Sequence, residues 1–500
     1  MKYFGVAGEY LHDAGFSLID ENGDILFATQ AERYTKVKHD DYIPKECWDQ
    51  FYNKDDCEVI CNDDWVVREK FRKGILETLR MHAPHQFTKE CEMWKKHPAV
   101  YDGRSAGHHL THCIAALVTR PESFAREDCV MVAIDGIGEY QSAVIYDHNL
   151  NLVKDVTFPK SIGYLWAWFT AEIGLRPNED EYVVMGLASY GKPTAGEEAV
   201  ERFSCIPEWD VESEWVDVEW VGKYFAKDLF LSKIVRFLLD SCATQEDAAA
   251  SLQYLTNHYL YEFMKEARKY GSKLCYSGGV AQNIVANTYF ADLFDDMWVD
   301  LNPGDGGASL GSAAYGYMQD TGKDRINWTS PFLGYNIDRE VDPEQVVDYL
   351  LKEKVCGIAN GPAEFSYRAY GNRSLIADVR YDVKDTVNQI KRRQKYRPFA
   401  PAILEEHAED YFEGRMNRWM QFTAKAKHDY SSVTHVDGTG RVQLVPKDCK
   451  SVFRQIIECY YDRTGVPMLL NTSLNIRGKP MVNDEQDAKE FAEKYNVKVF

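Results

Sequence analysis

The sequence predicts an α/β chain whose N-terminal half carries a duplicated three-strand unit, and three observations support this. Residues 3–30 read as an apolar strand (Tyr3 to Ala7), an acidic turn with glycine (Leu11-His12-Asp13-Ala14-Gly15), a returning strand (Phe16 to Ile19), a polar turn (Asp20-Glu21-Asn22-Gly23-Asp24) and a third strand (Ile25 to Thr29). Residues 130–157 repeat that grammar. Val130 to Ile134 is followed by Asp135-Gly136-Ile137-Gly138-Glu139, Ser142 to Tyr146, Asp147-His148-Asn149 and Leu152 to Val156. Short apolar runs between turn residues are the signal of antiparallel strands, and recurrence of a whole unit signals duplication. The third observation is a pair of glycine-rich loops that each open a helix, Ser277-Gly278-Gly279-Val280-Ala281-Gln282-Asn283 and Pro303-Gly304-Asp305-Gly306-Gly307-Ala308. Free backbone N–H groups at such helix starts hold anions.

A duplicated unit with an acidic, glycine-containing first turn is how actin-like ATPase folds present phosphate and metal at a central cleft. Gly278, Gly279 and Asn283 are therefore candidate nucleotide contacts. Five hundred residues allow about two to four domains. The pattern restarts after Leu333-Gly334-Tyr335, which suggests domains at 1–340 and 341–500. A net charge of -20 argues against a surface coated for nucleic acid, though it permits a local basic groove. No signal peptide, transit peptide or membrane-length apolar run is visible, and the twelve cysteines form no C-x-x-C pair. A cytoplasmic chain with reduced thiols is expected. Residues 45–95 read as partly helical. Residues 195–235 are acidic and Trp-rich and read as an elaboration or lid. Residues 246–270 have the apolar spacing of a core helix.

Chemistry concentrates in three places. His108 and His112 lie four residues apart, which on a helix puts both imidazoles on one face where they can grip a metal. Asp135, at the end of an apolar run, and Asp305, in a glycine-rich loop, could complete a mixed site. Residues 355–400 hold a dense basic run that includes Arg368, Arg373, Lys391 and Arg397; such runs are usually solvated helix faces, but loop chemistry on both sides favours a polyanion site. Arg441 and the cluster Asn471-Thr472-Ser473-Leu474-Asn475 add donors suited to a phosphate and acyl pocket.

These residues, in this order, resemble a known family. Leu11-His12-Asp13-Ala14, Glu32-Arg33-Tyr34-Thr35, His108-His109-Leu110-Thr111-His112, Asp135-Gly136, Val184-Met185-Gly186-Leu187-Ala188, Ser277-Gly278-Gly279, Gly304-Asp305, Glu364 to Ser374, Arg397-Pro398-Phe399-Ala400-Pro401, Asp437-Gly438-Thr439 and Asn471 to Asn475 are similar to the O-carbamoyltransferases of the NodU/CmcH family along nearly the whole chain. The resemblance implies an N-terminal actin-like (ASKHA) domain and a C-terminal YrdC-like α/β domain. It implies that the second makes carbamoyl-adenylate from carbamoyl phosphate and ATP with Mg²⁺, and that the first passes the carbamoyl group to an acceptor hydroxyl near a metal. His108, His112, Asp135 and Asp305 match the family's metal ligands; the family usually holds Fe²⁺, while residue type alone also admits Mn or Zn. Lys391, Arg397 and Arg441 would neutralise phosphates, and Arg368, Ser473 and Asn475 would orient the donor. His12 matches a histidine at the transfer site and is the candidate general base.

The chain departs from the family at Tyr182-Val183, where Gly-Lys is usual, at Tyr370 and at Gln394, which leaves nucleotide geometry and acceptor choice open. Acceptors in the family range from glycosides and other small molecules to the hydroxymethyl group of modified cytosine. A small molecule or glycoside is favoured; DNA stays open as a partner through a modified base, with Trp209, Trp215 and Trp220 able to stack a base or a sugar. A membrane partner is not expected, and the oligomeric state is not encoded in a readable way. Two rivals are an actin-like small-molecule kinase, which would leave the C-terminal Arg and Asn-Thr-Ser clusters idle, and a non-catalytic nucleotide-binding subunit.

Overall fold

The computed structural model describes residues 1–8, 13–62, 104–158, 160–203 and 230–500. His12 and Trp209, Trp215 and Trp220 lie outside the described residues. The chain divides into two compact units, Met1–Ala31 with His39–Trp328, and Glu32–Lys38 with Thr329–Phe500.

The first unit contains two five-stranded sheets. Strands β1 (Lys2–Ala7), β2 (Gly15–Ile19), β3 (Ile25–Gln30), β4 (Cys57–Cys61) and β5 (Arg104–Ser105) run in the order β3-β2-β1-β4-β5. Strands β6 (Cys129–Ile134), β7 (Gln141–Tyr146), β8 (Leu152–Thr157), β9 (Lys273–Ser277) and β10 (Asp296–Val299) run in the order β8-β7-β6-β9-β10. In both, the first three strands form an antiparallel meander and the last two join in parallel. The chain therefore holds the same sheet twice, as expected of the actin-like fold.

The duplication reaches individual atoms. In the turn after β2, Asp20 Oδ1 accepts the N–H groups of Asn22 and Asp24, each at 2.9 Å. In the turn after β7, Asp147 Oδ1 accepts those of Asn149 and Asn151, again each at 2.9 Å. Gly23 (φ 92°) and Leu150 (φ 65°) occupy the same left-handed position in the two turns. Short Asx side chains stabilise such turns by bonding the backbone two and four residues on.

Two helices bring the sheets into register. Asp305–Thr321 packs on β1 and β2, and His108–Val118 packs on β6 and β9 and against the first helix. Small residues make this approach close. A Cβ on Gly311 would lie 1.9 Å from the Thr111 carbonyl oxygen, and one on Gly5 would lie 2.0 Å from that of Ser309. Among the described residues no helix is long and apolar enough to cross a membrane.

The second unit is a five-stranded mixed sheet of β12 (Val355–Ala359), β14 (Arg373–Ala377), β20 (Met468–Ser473), β15 (Ala400–Leu404) and β19 (Gln443–Val445), in the order β12-β14-β20-β15-β19. It is joined by a pair, β11 (Phe332–Ile337) with β13 (Gly361–Glu364), and a small three-stranded sheet, β16 (Phe412–Glu413), β17 (Ala424–Ala426) and β18 (Thr439–Gly440). Strand alternation splits its core in two. Leu375 and Ala377 face a layer with Val387, Ala488 and Phe491, while Ile376 between them faces Val346, Leu350, Phe453 and Ile457.

The chain enters the second unit at Thr329, before the expected position of 340, because β11 pairs with β13 rather than with the first unit's sheets. The insertion of Glu32–Lys38 has no signature in the hydrophobic pattern. Arg33, 2% exposed, anchors that segment by donating to the carbonyls of Val482 (3.3 Å) and Glu364 (3.4 Å).

Candidate metal centre and anion site

His108–Val118 begins at Gly107, whose φ of 84° suits glycine. Its first N–H, on His108, donates to Glu139 Oε1 at 2.8 Å, so a buried carboxylate caps the positive end of the helix. The helical spacing then sets His108 and His112 on one face, with ring centroids 4.9 Å apart and planes at 67°. Asp135 follows β6, and Asp305 is the first residue of Asp305–Thr321. The His112 Nε2 atom lies 3.4 Å from Asp135 Oδ2 and 3.5 Å from Asp305 Oδ1; for His108 Nε2 these distances are 3.8 and 3.5 Å. All four ligand atoms fall within 4.8 Å of one another.

The surroundings fit a bound cation. Ser277 Oγ donates to Asp300 Oδ2 at 3.1 Å and so is left to accept from His112 Nδ1, 3.4 Å away. That fixes the tautomer and turns the Nε2 lone pair toward Asp135 and Asp305. Among the described residues His112 Nε2 has no hydrogen-bond partner although the side chain is fully buried, an arrangement that a metal would satisfy. The Nδ1 atom of His108 meets Asn62 Nδ2 at 3.4 Å. Asp135 is oriented by the N–H groups of Gly136 (2.7 Å to Oδ1) and Gly279 (3.2 Å to Oδ2). Burial opposes its ionisation, but the imidazoles of His108 and His112 beside it outweigh that and hold the carboxyl well below its usual range. His109 is not one of the four clustered side chains, although its ring centroid lies 5.2 Å from that of His108. Burial, and then His108, push its imidazole well below its ordinary value.

The glycine loop near this centre serves geometry. Gly278 adopts φ 87°, and a Cβ there would lie 2.3 Å from the Ile134 carbonyl oxygen, so the loop passes directly over the end of β6. Asn283 caps the helix Ile284–Phe290 by accepting from Ala286 N at 3.0 Å and pairs with Gln253, which commits its side chain to the fold.

In the second unit the expected cations come together around a different set of partners. Lys391 is buried, and its ammonium donates to Ser473 Oγ (3.2 Å), Asn475 O (3.0 Å) and Asn475 Oδ1 (3.0 Å) as well as to the Ser473 carbonyl, so it holds the Ser473–Asn475 turn in place. Burial first, then Arg393 and Arg397, push its pKa well down. Arg397 also acts on Arg441, which burial and Arg368 push down to about 9. Arg368, Arg397, Arg441 and Lys391 therefore form one positive neighbourhood. Among the described residues, the Nε atoms of Arg368 and Arg441 and the Tyr367 hydroxyl are buried with no hydrogen-bond partner. Buried cations and donors left open in this way are suited to an anionic ligand.

Arg373 differs from the expected substrate contact. It is fully buried and places its donors on the carbonyls of Asn483, Asn360, Gly361, Asn372 and Tyr335, leaving none for a phosphate. Of the departures, Val183 and Tyr370 are buried and Tyr182 is exposed. Sequence reading missed Asn62, Glu139, Asp300 and the loop-closing Glu364. Glu364 Oε1 accepts three N–H groups, from Tyr370 (2.8 Å), Asn372 (3.0 Å) and Arg373 (3.2 Å). The Glu at the head of Glu364-Phe365-Ser366-Tyr367-Arg368 was the only available signal for it.

Comparison with known proteins gives matches along most of the chain. A family model described as carbamoyltransferase N-terminus matches residues 46–314, and one described as carbamoyltransferase C-terminus matches residues 347–500. Nodulation protein NolNO of Sinorhizobium fredii is 27% identical over 96% of this chain and 76% of its own length. Nodulation protein NolO of Bradyrhizobium diazoefficiens is 30% identical over 76% of this chain and 75% of its own. Among solved structures, HypF of T. kodakarensis is similar to 65% of this chain and 48% of its own, with 13% identity and a TM-score of 0.31.

Proposed function

Because this chain belongs to the carbamoyltransferase family, we propose that it is an ATP-dependent O-carbamoyltransferase that forms carbamoyl-adenylate from carbamoyl phosphate and passes the carbamoyl group to a hydroxyl of a small molecule or glycoside. The observation that carries this reading is the assembly of His108 and His112 from one helix with Asp135 and Asp305 from two other elements into one quartet, buried but for the half-buried Asp135. A divalent metal such as Fe²⁺ held there would act as a Lewis acid on the carbamoyl carbonyl. The protein's own residues prepare that position. Asp300, through Ser277, aims His112; Gly136 and Gly279 aim Asp135; Glu139 anchors the helix that carries both imidazoles. In the second unit, read as the YrdC-like half, Arg368, Arg397 and Arg441 offset phosphate charge as pyrophosphate and inorganic phosphate leave, and Lys391 keeps the Ser473–Asn475 turn in the shape that meets the donor. His12 remains the candidate base for the acceptor hydroxyl.

The test needs no acceptor. The full chain is incubated with ATP, Mg²⁺ and carbamoyl phosphate and the mixture is read by mass spectrometry, with Arg397→Ala as control. Carbamoyl-adenylate with the wild-type chain, and its loss in the variant, is the expected result. ATP binding without any adenylate, with or without a panel of hydroxyl acceptors, overturns the reading.

A further inference from the structure

The run from Asn471 to Asn475 reads as a set of ligand donors, but the Asn471 amide is committed to the protein itself. Its Nδ2 atom donates to the Ala369 carbonyl at 3.1 Å and to Gln443 Oε1 at 2.7 Å. Gln443 Nε2 in turn donates to the Tyr370 carbonyl at 3.0 Å. Both side chains are buried. Turning either amide over would set its oxygen against a carbonyl oxygen, so the orientation of the pair is forced. The amides meet although β15 runs between their strands. That strand presents Ala400 opposite Asn471 and Ala402 opposite Gln443, side chains short enough to be bridged.

The pair links three cations through the backbone. Ala369 follows Arg368, and Gln443 comes two residues after Arg441. Asn471 comes two residues before Ser473, whose Oγ accepts from Lys391 at 3.2 Å. Residues two apart on a strand share a face and lie about 6.5 Å from each other. The loop that carries Arg368 is held from its other side as well. Glu364 Oε1 accepts from Tyr370 N at 2.8 Å, so buried side chains fix both the N–H and the carbonyl of Tyr370. Gly371 then turns with φ 126°, and a Cβ there would lie 2.4 Å from the Phe453 ring. The backbone beside Arg368 is thus pinned on every side, while the Nε atoms of Arg368 and Arg441 meet no acceptor among the described residues. Cations whose supports are locked before a ligand arrives are preorganised for it.

We propose that Asn471 and Gln443 are positioning residues: their amide pair sets the distance of Arg368 and Arg441 from the turn that Lys391 holds, and with it the span of anionic groups that the site accepts. The proposal deepens the anion site described above. It rests on the carbamoyl-transfer reading only for the turnover measured below. Loss of the pair leaves the number of cations unchanged and alters only their spacing.

Span and charge are separated by titrating the full chain with inorganic tripolyphosphate and with inorganic phosphate in a calorimeter. The chains are wild type, Gln443→Met and Asn471→Leu, each of similar size to the residue replaced and each shown by its thermal midpoint to be folded at the assay temperature. Either variant should weaken tripolyphosphate about 10- to 100-fold, the loss of one charge-assisted hydrogen bond. Phosphate, which needs no long span, should bind all three alike. Carbamoyl-adenylate formation should slow about 100-fold, as expected when reacting groups are misplaced by about 1 Å. Unchanged tripolyphosphate affinity in Gln443→Met overturns the proposal. An equal loss for phosphate and tripolyphosphate also overturns it, because the site would have collapsed rather than changed its span. If the two anions separate as expected while the wild-type chain makes no carbamoyl-adenylate, the donor chemistry fails and the positioning role stands.

Discussion

Gly311→Ala would place a methyl group where the two central helices cross, without altering any metal ligand. The added Cβ would lie 1.9 Å from the Thr111 carbonyl oxygen and 3.0 Å from Ala115 N. Restoring ordinary contact at 3.4 Å moves the helices apart by about 1.5 Å, since both obstacles are backbone and neither can rotate away. The site has little room for that movement, because Asp305 Oδ1 is 3.5 Å from both Nε2 atoms and sits on the other helix. Overpacking of this kind costs about 1–3 kcal/mol, and disturbance of a ligand set lowers metal affinity about 10- to 100-fold. The assay is thermal unfolding with and without chelator, together with metal content of the purified chain. Gly186→Ala is the control: it lies inside the helix Glu181–Ala188, a Cβ there meets nothing within 4 Å, and alanine should raise stability by about 0.5–1 kcal/mol. A Gly311→Ala chain with wild-type metal content and an unchanged midpoint would refute the coupling of helix crossing to the metal centre.

Three further outcomes are expected. Ser277→Ala removes the link between Asp300 and His112 and should weaken metal binding about 10-fold or more, read by competitive metal titration, while Ser277→Thr should retain it. The bidentate pair between Glu406 and Arg454 holds the Glu406 carboxyl down at about 2 from its ordinary 4.5. Its contribution, about 1–2 kcal/mol after allowance for solvent, is therefore present above pH 4.5 and is lost as pH falls toward 2, so urea unfolding of wild type and Glu406→Gln should differ at pH 7, draw closer below pH 4.5 and converge only near pH 2. The paired turns predict opposite signs: Gly23→Ala should destabilise by about 1–2 kcal/mol, because φ is 92° and the new Cβ would lie 2.8 Å from Tyr317 Oη, whereas Leu150→Gly should be neutral or stabilising in denaturant titration.

The candidate metal cluster was largely legible because its four side chains sit at positions that local rules mark. His108 and His112 are given by helical spacing, Asp135 by its place after an apolar strand and Asp305 by a glycine loop before a helix. The duplicated sheet was legible for the same reason, since its turns repeat in sequence. Asn62, Asp300 and Glu139 were not, because each acts across the fold on a residue distant in the chain, and nothing local distinguishes them from other polar residues. Arg373 shows the reverse error. A basic residue in a loop reads as a phosphate contact, but here backbone carbonyls of neighbouring segments, Asn483 and Tyr335 among them, take every donor. Lys391 stands between these cases, in the expected neighbourhood but spent on holding a turn.

The segment Glu32–Lys38 bears on how the chain is made. It belongs to the second unit, yet it leaves the ribosome ahead of most of the first. Its anchor Arg33 finds the Val482 carbonyl only after a further 449 residues have been added. At about 5–20 residues per second that interval is roughly 20–90 s. For that time the guanidinium that will be fully buried must stay solvated, and the N-terminal sheet must form with one of its connections still waiting for its destination. A ribosome that stalls before the last strands would therefore leave both units unfinished, and a fragment cut at Trp328 would take with it part of its neighbour's core.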